Sequence, residues 1–379
     1  MTESDSSHTN IATIRFSLDI RYYFNNFALS MAKVLIIGPH YFNFLPATES
    51  AFSRLGWEVS VMAYDNPIHP YTSWMKWKYK LSRHRDRMQA KSRAAFADTV
   101  LTTFRAVRPE LVFILNGDIL DTETLDAFCR EGARVALWLF DNRERLPRAA
   151  GQAAHVDRLF CFERADVEWF LDRGVDAVFL PQACDTEVYH PLPLPKDIDI
   201  LFVGNMWNSP RRKQLMQSVI KAFPDRRIIV YGLYQPWYKG LVKWLTRPYK
   251  SVFKNRTLSP EKVNESYNRA RVVVNIHQEL QKDGANPRVF EICGSGAYQV
   301  CDANDYIRSL FHPGDIGLYS SREELLSALS WALENDTDAL AASARQTVLS
   351  DHTFVSRIRT VLSSIFGKDS LSLLTIEDS

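Results

Sequence analysis

At 379 residues the chain is too long for one ordinary hydrophobic core and implies two domains. A hydrophobic share of 46%, a charged share of 24% and a formal net charge of +2 are those of a globular chain and argue against a dedicated nucleic-acid binder. The five cysteines are odd in number and scattered without a CxxC pair, which fits reduced thiols and speaks against a zinc site.

Residues 1–30 begin polar (MTESDSSHTN) and lack the basic start and clean apolar core of a secretory signal. They read as an N-terminal extension, with Met31 as the native start and Arg21-Tyr22-Tyr23-Phe24 as a candidate docking segment. From Val34 onward, apolar runs of strand length alternate with helical patterns, the rhythm of βαβ units around a parallel sheet. Runs at Val34–Ile37, Glu58–Met62, Leu111–Leu115, Arg134–Leu139, Arg158–Cys161 and Ala177–Leu180 predict a first Rossmann-like domain over 31–182. A proline-rich stretch, Pro191-Leu192-Pro193-Leu194-Pro195, marks a linker over 183–197. Runs at Ile198–Gly204, Arg227–Gly232, Val272–Ile276 and Tyr298–Cys301 predict a second such domain over 198–348. Helical patterns fall at about 321–335 and 351–366, and residues 349–379 read as a C-terminal helix and tail. Two halves of this kind face a cleft, and loops at the strand C-termini meet the ligand there.

Two basic, aromatic stretches interrupt this rhythm. Tyr71 to Lys91 carries Trp74, Lys76, Trp77, Lys78, Tyr79, Lys80, Arg83, Arg85 and Arg87 against the single acid Asp86. Tyr234 to Arg256 carries Trp237, Tyr238, Lys239, Lys243, Trp244, Arg247, Tyr249, Lys250, Lys254 and Arg256 with no acid. Both suit an anionic membrane surface, and solvated helices with buried aromatic faces would give the same pattern.

The segment Asp283–Asp302, DGANPRVFEICGSGAYQVCD, holds the chemistry. Asn286 and Pro287 predict a helix start, with Arg288 beside it as an anion site and Glu291 one turn on as an acceptor of hydroxyl hydrogen bonds. The helix is expected to stop at Gly294 or Gly296. Phosphate at one end and a diol-binding acid a turn later suggest the diphosphate and ribose of a nucleotide. Loop-to-helix joints of this composition also occur without any ligand.

Together, Phe202-Val203-Gly204-Asn205 with Arg211-Arg212, Asn286-x-Arg288-x-Phe290-Glu291 with Gly294-x-Gly296, Asp302, Phe311-x-Pro313-Gly314, Tyr319-Ser320-Ser321, Glu323-Glu324-Leu325 and Asp351-His352-Thr353-Phe354 with Arg357 resemble the C-terminal domain of CgeB-like glycosyltransferases. That branch is related to glycosyltransferase family four. The resemblance implies a GT-B fold, an α/β architecture of two Rossmann-like domains facing a cleft, with the C-terminal helix returning to the first domain. It implies a nucleotide-sugar donor held by the second domain, with Gly204, Asn205, Arg211, Arg212, Lys213, Tyr231, Asp283, Asn286, Arg288 and Glu291 as the donor-binding residues. Asp283 and Glu291 occupy the family's acid-x7-acid spacing, Glu291 toward the ribose and Asp283 toward the sugar. Further implications are a metal-independent, retaining transfer to a hydroxyl acceptor, be it a surface glycan, a lipid-linked glycan, a protein or a small molecule, and a place in polysaccharide biosynthesis. The expected setting is cytoplasmic, peripheral at the inner face of the membrane.

Asp197-Ile198-Asp199 fits the metal-binding DxD pattern but opens a strand rather than ending one, so no metal is expected there. Candidates for a catalytic group come from the first domain: His40 after the first strand, Asp118 after Leu115-Asn116-Gly117, and Asp141 at the end of the strand reaching Phe140. A non-catalytic assembly or glycan-binding protein of the same fold is the alternative reading.

Overall fold

The computed structural model describes residues 31–40, 43–65, 69, 72–234 and 251–367. The expectations for residues 1–30, Tyr71 and 235–250 lie outside the described residues. Two parallel sheets are present. The first has six strands in the order β2-β1-β3-β4-β5-β6: β1 (Lys33–Pro39), β2 (Glu58–Tyr64), β3 (Leu111–Leu115), β4 (Arg134–Leu139), β5 (Arg158–Cys161) and β6 (Ala177–Phe179). The second has five in the order β11-β10-β9-β7-β8: β7 (Ile198–Val203), β8 (Ile228–Tyr231), β9 (Ala270–Asn275), β10 (Gln299–Asp302) and β11 (Gly317–Tyr319).

Both faces of each sheet are covered, so the strands read as near-continuous apolar runs rather than alternating ones. In β1, Leu35 and Ile37 point into one core layer while Val34 and Ile36 point into the other. The same split puts Leu201 on one face of β7 and Ile200 and Phe202 on the other.

The last helix, Phe354–Phe366, returns to the first sheet. Phe354, Ile358, Val361 and Leu362 join Val34, Ile36, Phe52 and Trp138 in one buried cluster. Side chains of this size contribute roughly 1.5–3 kcal/mol each when fully buried. The chain therefore crosses between the sheets twice, and the crossings lie side by side. The backbone of Cys184 donates to the His352 carbonyl and accepts from Phe354 N–H. Arg357, 6% exposed, binds them together by donating to the carbonyls of Pro181, Gln182 and Asp351.

Most strands fall where the apolar runs predict. The helix Asp338–Asp351, whose alanine-rich face gives little periodic signal, and the three-residue edge strand β11 are among the elements that the apolar runs do not predict. No helix among the described residues is long and apolar enough to cross a membrane.

Candidate functional site

A cavity of about 730 Å³ opens between the C-terminal edges of the two sheets. Its first-sheet wall comes from the residues after β4 (Phe140, Asp141, Asn142, Arg145), after β5 (Phe162) and after β6 (Gln182, Ala183, Asp185). Its second-sheet wall comes from the residues after β7 (Gly204, Asn205), after β8 (Gly232, Leu233) and after β9 (Asn286, Arg288, Glu291). Parallel strands aim all their following loops the same way, which is why one cavity collects residues so far apart in sequence.

The floor of the second-sheet wall is the helix Pro287–Gly294, with Asn286 at its N-cap. The Asn286 side chain does not cap it. It exchanges hydrogen bonds with Asn275 instead, while the Asn286 backbone N–H donates to Nε2 of His277 at 3.1 Å. With Nε2 accepting, Nδ1 carries the proton and faces Asp302 Oδ1 at 2.6 Å. Asp302 also accepts from the His277 backbone and from Arg211 at 2.7 Å. Burial alone would raise the Asp302 pKa, but His277 and Arg211 hold it down at about 2. His277, Cys301 and Asp302 cluster closely enough to hold a metal ion, yet the Asp302 oxygens already bind protein donors, and this network fixes the loop that starts the helix.

Arg288 and Glu291 sit on successive turns of the helix and both line the cavity. Among the described residues Arg288 makes no hydrogen bond or ion pair. The surrounding protein desolvates the Glu291 carboxylate and pushes its pKa up to about 7, against the opposing pull of Arg288 and the Tyr189 hydroxyl. An unpaired guanidinium beside a helix N-terminus is a site for a multiply charged anion. A half-buried carboxylate on the cavity wall is a site for hydroxyl donors.

The other predicted donor residues divide. Gly204, Asn205, Arg212 and Tyr231 line the cavity. Gly232 follows Tyr231 with φ of 119°, and a Cβ there would stand 2.1 Å from the Gly204 carbonyl oxygen, so the two loops approach as only glycine permits. Arg212, 3% exposed, is occupied in holding backbone: it donates to Ile276 O at 2.9 and 2.6 Å and to Asn205 O at 2.9 Å. Burial and the nearby Arg288 lower its pKa to about 10.

Arg211, Lys213 and Asp283 are not among the cavity-lining residues. Arg211 pairs with Asp302, and Lys213 donates to the Trp207 carbonyl. The helix they begin, Pro210–Ala222, has its first amides occupied by the protein's own groups, Arg212 N–H by Ser209 and Arg211 N–H by Glu279. Asp283 accepts from the backbone N–H of Arg164 and Ala165, at 3.2 and 2.8 Å, and so caps the first-sheet helix Arg164–Leu171 from across the cleft. Beside it a Cβ on Gly284 would stand 2.6 Å from the Phe162 carbonyl, and Glu163 accepts from Lys282 N–H. The Asp283 carboxylate thus joins the two halves of the molecule.

Of the first-domain candidates, Asp141 lines the cavity, pairs with Arg145 at 3.1 Å and is raised in pKa chiefly by burial. His40 and Asp118 are not among the lining residues. His40 donates its backbone N–H to Tyr64 O, and Asp118 accepts from the Tyr64 hydroxyl at 3.4 Å. The carboxylates of Asp197 and Asp199 lie at the N-terminal end of β7, away from the cavity, and are paired with Arg227 and Arg269 and with Arg226 and Arg271.

Residues absent from the sequence expectations complete the site. Three buried polar atoms on its wall have no hydrogen-bond partner among the described residues: Gln182 Oε1, the Tyr267 hydroxyl and Gln281 Nε2. Buried polar atoms are almost always satisfied, and three of the unsatisfied ones belong to residues around this one cavity. Gln182 could have been suspected, because it follows the C-terminal end of a predicted strand. Tyr267 lies in the helix Pro260–Asn268, and nothing local in the sequence aims it at a site.

Comparison with known proteins places this geometry. No curated protein matches the chain significantly. Among solved structures, the chain is similar to the lipopolysaccharide outer core galactosyltransferase WaaB in its apo form, with a TM-score of 0.55, 14% identity and coverage of 89% of this chain and 99% of that one. It is also similar to Anabaena HepE in complex with UDP and glucose, at TM-score 0.59, 12% identity and coverage of 88% and 99%. The E. coli trehalose-6-phosphate protein bound with UDP-2-fluoro glucose aligns at TM-score 0.58 and 12% identity over 88% and 99%. These likenesses show a GT-B fold. The family model Glycosyl transferase-like matches residues 211–363 of the chain.

Proposed function

We propose that the protein moves a sugar from a nucleotide-sugar donor to a hydroxyl acceptor in the cavity between the sheets. The observation that carries this is the pair on the Pro287–Gly294 helix: Arg288 unpaired and Glu291 desolvated, side by side on the cavity floor. Arg288 binds the diphosphate, and Glu291 accepts from the ribose hydroxyls. The Anabaena neighbour in complex with UDP and glucose, and the E. coli neighbour bound with UDP-2-fluoro glucose, support a donor of this class. The order of motifs from Phe202 to Arg357 supports a CgeB-like subtype.

As the bond to the sugar breaks, negative charge builds on the bridging phosphate oxygen, and the sugar becomes oxocarbenium-like. A fixed cation aimed at that oxygen lowers the barrier because it gains most in the transition state. Arg288 supplies it without a metal. The first-sheet wall holds the acceptor, with Gln182 Oε1 accepting from a hydroxyl and Asp141 close enough to orient one. In a retaining transfer the departing phosphate itself takes the acceptor's proton, and this reading needs no strong base.

Calorimetric titration of nucleoside diphosphates and nucleotide sugars, without added metal, tests the proposal. One nucleotide should bind the wild type, and Glu291→Ala should lose most of that affinity while remaining folded. Failure of every nucleotide to bind folded protein, with or without magnesium, would leave the non-catalytic reading in its place.

A further inference from the structure

The helix Ser73–Leu81 is oriented the wrong way round for a helix in a water-soluble protein. At 100° per residue, Trp74, Trp77 and Leu81 share one face, and that face points outward, with exposures of 66%, 65% and 64%. Met75 and Tyr79 lie on the opposite, half-buried side. The orientation is held in place. Thr72 caps the helix by accepting from Met75 N–H, the Tyr79 hydroxyl accepts from Gln89 at 3.1 Å, and Arg85 lies over the Tyr79 ring and donates to the Lys80 carbonyl. Lys78 and Lys80 flank the apolar face, with Lys78 5.0 Å above the Trp74 ring; Lys76, Arg83, Arg85 and Arg87 add to the basic charge nearby, and Asp86 is the only acid between residues 73 and 87.

We propose that this helix docks the protein on an anionic lipid bilayer. Indole rings and a leucine on one convex face, rimmed by lysines, fit a planar interface in which the rings enter the headgroup layer and the cations meet lipid phosphates. A nucleic acid would need the rings in a groove where bases could stack, and here they stand on an open ridge. The helix follows β2, whose C-terminal end belongs to the same edge of the first sheet as the strand ends that open onto the cavity. Docking there brings the first-sheet wall toward the bilayer. Given the transferase reading, on which this last step rests, the acceptor hydroxyl belongs to a lipid-anchored molecule.

Flotation of the full chain with vesicles tests the surface, and nucleotide titration of the same preparations tests the transferase reading separately. The wild type should float with phosphatidylcholine vesicles containing phosphatidylglycerol, and should stay unbound with phosphatidylcholine alone or in high salt. Trp74→Ser with Trp77→Ser should weaken vesicle binding by on the order of tenfold or more. Lys78→Gln and Lys80→Gln should each weaken it roughly fivefold, and nucleotide binding should not change in any of these variants. A wild type that binds nucleotide but never floats overturns the docking surface. So does a double tryptophan variant that floats as well as the wild type, which would reduce the attraction to charge alone. Flotation without nucleotide binding keeps the surface and removes only the lipid-anchored acceptor.

Discussion

Two arginines share one cavity and differ in everything else. Arg212 is almost completely buried and holds the carbonyls of Ile276 and Asn205, whereas Arg288, two residues past the Asn286 cap, holds nothing among the described residues. The acid-x7-acid pair divides in the same way: Asp283 caps a helix of the other half, and Glu291 lies desolvated on the cavity floor. A charged group already bound by its own protein gains little from a ligand, because binding would first have to break those bonds. A charged group held unpaired at a cost in stability is the one that a ligand satisfies.

Four variants can break or sharpen that contrast. Arg212→Ala should have the largest effect, costing about 3–5 kcal/mol of stability because it leaves buried carbonyls without donors, and chemical denaturation would measure it. Arg288→Ala should do the reverse. Affinity for a nucleoside diphosphate should fall by about 2–3 kcal/mol through loss of charge-assisted hydrogen bonds, while the thermal midpoint stays put. Equal losses of stability in both variants would end the distinction between them.

Glu291 gives a smaller, pH-dependent effect. Its folded pKa, about 7, lies above the usual carboxylate value, so the native state holds a proton that the unfolded state has released. The cost of ionising it is absent below about pH 4.5 and fully present above pH 7. Stability without ligand should therefore decline over that range, and Glu291→Gln should flatten the decline and add on the order of 1–2 kcal/mol at pH 8. Nucleotide affinity should move the other way in the wild type, rising as the carboxylate ionises and begins to accept from the ribose, and Glu291→Gln should remove that dependence. The smallest effect belongs to Asp283→Ala. Loss of a helix cap should cost about 1 kcal/mol, read as a lowered melting point, with nucleotide affinity nearly unchanged. A large loss of donor affinity instead would return Asp283 to the sugar site.

Apolar runs of strand length and Asn-Pro and glycine punctuation are local properties, and they were enough to place most strands and the Pro287 helix within a few residues. They were also enough to put Arg288 and Glu291 on neighbouring turns, since helix pitch alone makes residues three apart adjacent. The partner of each charge was not legible. Whether Arg211 meets Asp302, or Asp283 meets the amides of Arg164 and Ala165, depends on loops more than 90 residues apart in the chain meeting at one edge. The orphan atoms of Gln182, Tyr267 and Gln281 are likewise a result of packing, because satisfaction depends on which neighbours crowd in. Sequence by itself determined the α/β rhythm, the two halves and the residue types able to bind a diphosphate and a diol. Tertiary structure decided which of those residues are left unpaired in the cavity, because hydrogen bonds are short and the chain must fold before it is settled which groups find each other.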